Sequence, residues 1–236
     1  MSEIISKLRM ELKENADEQV RNSSQHFFKG EIICYGIKSS QISTISKEYF
    51  KTIKGKNKRE IFDLCGELWQ SGMLEESFIA CNWSYLVHKN YEPDDLWVFE
   101  KWIGSYVNNW ASCDTICNHT VGAFMEMYPE YLSELKRWTK SNNGWMRRAS
   151  AVSLIVPARK GMFLNDIFEI ADLLISDTDD LVRKGYGWML KVASHSHQKE
   201  VFDYIMSRKS IMPRTALRYA IEKMPAILKI QAMARY

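Results

Sequence analysis

Three observations predict an all-α chain. Glycine and proline are scarce, at 11 and 5 residues in 236. No stretch alternates strictly between apolar and polar residues, as a half-buried strand would. Most windows instead place aliphatic residues at three- and four-residue spacing, the period of a helix with one buried face. A hydrophobic content of 46% suffices for one large core or for an elongated array of small stacked units, so a single α-helical domain over residues 1–236 is expected.

Taken in chain order, MSEIISKLRMELKENADEQVR alternates charge with aliphatics and reads as a helix. It lacks the basic start, apolar run and small-residue cleavage site of a secretory leader. LEESFIACNWSYLVHKNY sets Phe78, Cys81, Trp83, Tyr85, Leu86 and His88 among few polar positions, as expected of a helix packed between neighbours. Breakers at Gly55, Gly72, Pro93, Pro129, Gly144, Gly161 and Pro213 divide the chain into helices of roughly 12 to 18 residues joined by short loops. No apolar run approaches the roughly 18 to 20 residues that cross a bilayer, so a soluble, cytoplasmic protein without a membrane partner is expected. The five cysteines are odd in number and form no paired CxxC knuckles, which reads as reduced thiols.

In the C-terminal half three segments overlay: MRRASAVSL from Met146, VRKGYGWML from Val182 and PRTALRYAI from Pro213. Each has Arg in second place (Arg147, Arg183, Arg214), a small residue two places later (Ala149, Gly185, Ala216) and an aliphatic five beyond that (Leu154, Leu190, Ile221). The offsets of 36 and 31 residues suit one helical pair per repeat. In a helical solenoid, equivalent residues form a row along one concave surface, and the row here holds Arg147, Arg148, Arg183, Lys184, Arg214 and Arg218. Sequence neighbours diverge by about 100 degrees on a helix, so these six do not all share a face. With 26% charged residues and a net charge of only +3, recurrence of cations at one phase, rather than total charge, argues for a phosphate-binding surface.

NNWASCDTICNH places Trp110 four residues ahead of Asp114, which on a helix stacks an indole over a carboxylate on one face. Alone, that spacing also describes a core Trp beside a solvated Asp. Stepping back 33 residues from Arg147 lands on Asp114, an anion where the repeat otherwise holds a cation. A second tryptophan, Trp188, follows Lys184 by four, just after Gly185 and Gly187. Glycine inside a helix costs about 1 kcal/mol relative to alanine, so something must approach that backbone closely.

These segments resemble the AlkD-like DNA alkylation-repair glycosylases, proteins built of HEAT-like repeats. The resemblance runs from FFKGEIICYGIKSSQI at Phe27 to MPRTALRYAIEKM, and its most specific matches are NWASCD, GWMRRA and VRKGYGWML in that order. It implies a right-handed solenoid of HEAT-like helical pairs with a concave basic face. It also implies Trp110 and Trp188 as aromatic walls, Asp114 as the catalytic carboxylate and Arg148 as a phosphate ligand. After GW-x-L the family commonly has Arg, where this chain has Lys191, and an ammonium cannot reproduce the bidentate guanidinium fork. The implied activity is excision of cationic N3- or N7-alkylated purines from double-stranded DNA in base excision repair. The resemblance also implies that the damaged base stays within the duplex, and a monomer without a cofactor is expected.

Cys113, Cys117 and His119 lie close in sequence and HSH spans His195 to His197, but four ligands at a recognised zinc spacing are lacking, so no metal is expected. WMRRAS resembles a basophilic phosphorylation context at Ser150, although a small residue in a packed helix explains it. A non-catalytic binder of branched or damaged DNA on the same fold, and a helical scaffold for protein partners, are the alternatives in function. Asp114 together with both tryptophans favours catalysis.

Overall fold

The N-terminal segment is broken at Asp17. The computed structural model, which describes residues 2–28 and 30–234, divides it into α1 (Glu3–Glu14) and α2 (Glu18–Gln25). Asp17 is extended, and its carboxylate accepts the amides of Gln19 and Val20. A residue better suited to capping than to a helix interior therefore starts a second helix. α1 buries Ile5, Leu8 and Leu12, a stripe at three- and four-residue spacing.

The described residues are helical and form no strand; Ile33 and Met73 make an isolated parallel bridge. The chain divides into two compact units, Met1–Ile116 and Cys117–Tyr236. After α1 and α2 the first unit contains α3 (Ser39–Ile53), α4 (Lys58–Trp69), α5 (Leu74–Leu86), α6 (Asp95–Tyr106) and α7 (Trp110–Ile116). The second opens with a π-helical turn at Cys117–Val121. It continues through α8 (Gly122–Met127), α9 (Leu132–Trp138), α10 (Gly144–Val152), α11 (Ile155–Arg159), α12 (Leu164–Leu174), α13 (Asp180–Ala193), α14 (Gln198–Arg208), α15 (Arg214–Ala220) and α16 (Ala226–Met233).

The breakers read from the sequence all fall at helix ends. Several helices of the second unit are nevertheless shorter than expected, with 7 residues in α9 and α15 and 5 in α11. One cause is Pro157, which has no N–H to donate to the Ser153 carbonyl, so α10 and α11 are separate helices.

α5 packs against α3, α4 and α7. Trp83 is fully buried and donates its indole N–H to the Ser46 carbonyl at 3.0 Å. The expectation of a helix enclosed by neighbours holds for its body, while Tyr85 and Leu86 at its end emerge to 37% and 49% exposure. Two charged residues in its first turn are buried instead. Glu75 accepts the amides of Tyr35, Gly36 and Ile37 at 3.0, 2.8 and 3.2 Å. Glu76 accepts the Arg9 guanidinium at 2.8 Å and the Tyr35 hydroxyl at 2.8 Å. Burial, then the Glu76 hydrogen bond, pushes the Tyr35 phenol well above its ordinary range. These carboxylates tie the 33–37 segment and α1 to the start of α5.

In the second unit α13 packs against α10, α12 and α15. The three overlaid segments thus lie on α10, α13 and α15, with α13 between the other two. Leu154, Leu190 and Ile221, at the aliphatic place of the repeat, are all buried. The small positions Ala149, Gly185 and Ala216 are buried as well.

Breaking the Arg9–Glu76 pair leaves a carboxylate that is 1% exposed with the Tyr35 hydroxyl but no counter-ion. Arg9→Ala should lower the unfolding free energy by about 3 kcal/mol, the order found when one partner of a buried ion pair is deleted. Urea titration measures it, and a loss under about 0.5 kcal/mol would assign the pair no structural weight.

Candidate functional site

α7 is short, and its start is set by Asn109, whose side-chain oxygen accepts the Ser112 amide at 2.9 Å. Its amide group donates to Asn108 Oδ1 at 2.8 Å, so the preceding turn is held too. With Ser112, Cys113, Asp114 and Ile116 buried, the helix carries Trp110 and Asp114 one turn apart. Trp110 is 37% exposed and Asp114 only 9%. The indole is therefore open to a ligand, while the carboxylate sits at the margin of the protein interior, where its charge is less screened than in water. The Trp110 ring stacks on Phe28, with centroids 5.5 Å apart and planes inclined at 26°. Nothing in the sequence spacing marks Phe28 as a neighbour of Trp110.

The chain next turns through the π-helical segment Cys117–Val121. Single π turns inside helical runs often accompany functional sites. Gly122 closes the turn, where a Cβ would lie 3.0 Å from the Ser153 carbonyl and 3.2 Å from that of Cys117. His119 within it reaches the surface, and partial desolvation lowers its imidazole below the ordinary range. The sequence carries no periodicity signal for this turn.

In the second unit Trp188 lies half-buried on α13. The two glycines before it are explained by neighbouring helices. A Cβ on Gly187 would stand 2.8 Å from the Ala216 carbonyl and 2.8 Å from Tyr219 Cβ, both of α15. One on Gly185 would meet the Arg148 side chain of α10 at 3.4 Å. The close approach inferred from the glycines is thus between helices of the stack.

The basic residues differ in how they are held. Arg148 is 5% exposed, and its Nη1 donates to the Leu181 carbonyl. Arg147 pairs with Asp177 at 2.6 Å and also donates to the Ser141 carbonyl at 2.9 Å. Arg183 donates to the Asp177 carbonyl at 2.6 Å. Arg147 and Arg183 together hold the loop before α13, so their shared phase has a structural cause that repetition in the sequence does not reveal. Lys184 pairs with Asp180 at 2.7 Å. Lys191 pairs with Glu222 at 2.9 Å and lies 5.7 Å from the Tyr219 ring centre. Arg214 and Arg218 are exposed; Arg214 has a 3.4 Å contact to the Met233 carbonyl, and no ion pair engages Arg218 among the described residues.

Cys34, Cys65, Cys81, Cys113 and Cys117 are all free and buried. Among the described residues no group of three His, Cys, Asp or Glu side chains gathers closely enough to hold a metal ion. No described helix is long and apolar enough to cross a membrane.

The family model described as DNA alkylation repair enzyme matches residues 8–224. The chain belongs to this family. Among solved structures, a predicted DNA alkylation repair enzyme from Enterococcus faecalis superposes with a TM-score of 0.81. The match covers 90% of this chain and 98% of that one at 14% identity, so the fold is what the two share. The comparison with curated proteins finds no match. Membership of the alkylation-repair family agrees with the resemblance seen in NWASCD, GWMRRA and VRKGYGWML.

The two glycines of this family member separate packing from propensity. Gly187→Ala places a methyl against backbone and should destabilise by about 1–3 kcal/mol. Gly185→Ala meets the Arg148 and Val152 side chains at 3.4–3.5 Å, ordinary contact distances, and gains up to about 1 kcal/mol of helix propensity. Thermal melts of both variants check this, and equal losses would contradict the assigned neighbours.

Proposed function

We propose that this protein is a DNA glycosylase that removes cationic N3- or N7-alkylated purines from duplex DNA in base excision repair. The observation that carries the reading is the edge of α7, where an exposed indole, Trp110, lies one turn from the nearly buried carboxylate of Asp114. Family membership supplies the polymer; this edge supplies the chemistry.

A purine alkylated at N3 or N7 is positively charged and departs without protonation. The bond from C1′ to the base nitrogen breaks, its electron pair neutralises the base, and the sugar acquires oxocarbenium character. Water then adds to C1′ and loses its proton to solvent. Asp114 stabilises the developing sugar charge and orients that water, an effect worth about 3–4 kcal/mol for one preorganised group. The faces of Trp110 and Trp188 attract the cationic nucleotide by roughly 0.5–2 kcal/mol each. A neutral base gains no cation–π attraction and would have to leave as an anion, so charge is the basis of selection. In this reading the protein works in the cytoplasm as a monomer and needs no cofactor.

For the phosphate backbone, Arg214 and Arg218 are the readiest ligands because they are exposed. Lys184 and Lys191 would exchange a carboxylate for a phosphate. Arg147, Arg148 and Arg183 contribute long-range charge while they hold loops and helices in place.

Asp114→Asn keeps the shape and removes the charge, and should slow release of 7-methylguanine or 3-methyladenine from methylated duplex DNA by about 10²–10³-fold. Absence of release by the wild type, together with tight binding to junctions or flaps, would support a structural DNA binder instead. Arg218→Ala should lower the slope of log affinity against log salt by about one contact without changing stability. Arg148→Ala should lower the melting temperature as well, because it abandons the Leu181 carbonyl. An unchanged salt slope for Arg218→Ala would remove that residue from the interface.

A further inference from the structure

We infer that Phe28 is a positioning residue for Trp110: it fixes the orientation of the indole and leaves one ring face open to DNA. The inference rests on the proposed role of Trp110. An indole that is 37% exposed at the first position of a seven-residue helix is only partly enclosed, so the contacts it does make select its rotamer. Phe28 provides that selection by lying across one face, with ring centroids 5.5 Å apart.

Both rings are referred to the same helix. α7, which carries Trp110, packs on α5. The segment leading to Phe28 is tied to α5 by another route. Glu75 and Glu76 of α5 hold Tyr35, Gly36 and Ile37. Gly36, at φ +88°, accepts the Asp17 amide on its carbonyl oxygen at 3.1 Å, and Arg21 of α2 donates to the Tyr35 carbonyl at 3.1 Å. A Cβ on Gly36 would lie 2.3 Å from the Asp17 carbonyl, so α2 is pressed onto this segment. At the end of α2 the Gln25 side chain brackets the following turn, donating to the Gly30 carbonyl at 2.8 Å and accepting the Ile32 amide at 3.2 Å. Phe28 projects from within that bracket.

One consequence concerns what can bind. A base inserted between the two rings needs about 6.8 Å, twice the stacking rise of DNA, which exceeds the 5.5 Å observed. Trp110 therefore meets the nucleotide with its opposite face or its edge, and no base is sandwiched between Trp110 and Phe28.

The test uses the full chain labelled with 5-fluorotryptophan, the Trp110 resonance being assigned by its loss in Trp110→Phe. In Phe28→Leu this resonance should shift and broaden, while Phe28→Tyr should retain its position. Release of 7-methylguanine at saturating enzyme should fall about tenfold or more in Phe28→Leu, as misplacement of a contacting group does. Affinity for undamaged duplex should change by less than about twofold, and Phe28→Tyr should restore the rate. A normal rate in Phe28→Leu despite a moved resonance, or a resonance that does not move, overturns the inference. If the wild type releases no base, the glycosylase reading fails by itself. The positioning role is then judged by whether duplex DNA shifts the Trp110 resonance in the wild type and fails to do so in Phe28→Leu; equal shifts in both overturn it.

Discussion

Burial of two adjacent carboxylates in the first turn of α5 is the constraint on which the first unit depends. A buried charge is tolerated only where hydrogen bonds replace its water, and Glu75 and Glu76 recruit three backbone amides, a tyrosine hydroxyl and a guanidinium. Meeting that requirement draws the irregular 33–37 segment against α5 and with it α2, the helix that leads to Phe28. α7 rests on the same α5. The exposed indole of Trp110 and the nearly buried carboxylate of Asp114 are thus presented from a base that is itself held by ionic and backbone hydrogen bonds.

The second unit meets a different constraint, the close approach of α10, α13 and α15. The Gly187 position leaves no room for a side chain beside the Ala216 carbonyl, and the stem of Arg148 crosses at Gly185. Helices this near leave little freedom in the phase at which each presents its outer residues. The repeated Arg therefore serves the stack first: Arg147 and Arg183 share Asp177, one through its carboxylate and the other through its carbonyl. Positive charge that fastens loops still contributes to the field seen by a polyanion, but it is not the charge that closes on a phosphate most readily.

Much of the fold was legible because it is written in local signals. Gly55, Gly72, Pro93, Pro129, Gly144, Gly161 and Pro213 all stand at helix ends, and the overlay of Arg147, Arg183 and Arg214 located three helices of one stack. The break at Asp17 was missed because apolar spacing continues across it, although an Asp beside helix-start acids is itself a capping signal. Nothing local distinguishes Glu75 and Glu76 from other acids at a helix start, and only their remote partners at Arg9 and Tyr35–Ile37 explain their burial. On the candidate site, the i, i+4 relation of Trp110 and Asp114 follows from helix geometry, whereas the Phe28 stack and the π-helical turn at Cys117–Val121 arise from packing between segments that no short spacing encodes.

The central claim is that a carboxylate and indole faces select a base by its positive charge. The most direct measurement places 7-methylguanine and, separately, the neutral base hypoxanthine at the same position of one duplex sequence and follows free base with time. The account predicts release of the cationic base alone. Release of hypoxanthine at a comparable rate would contradict it.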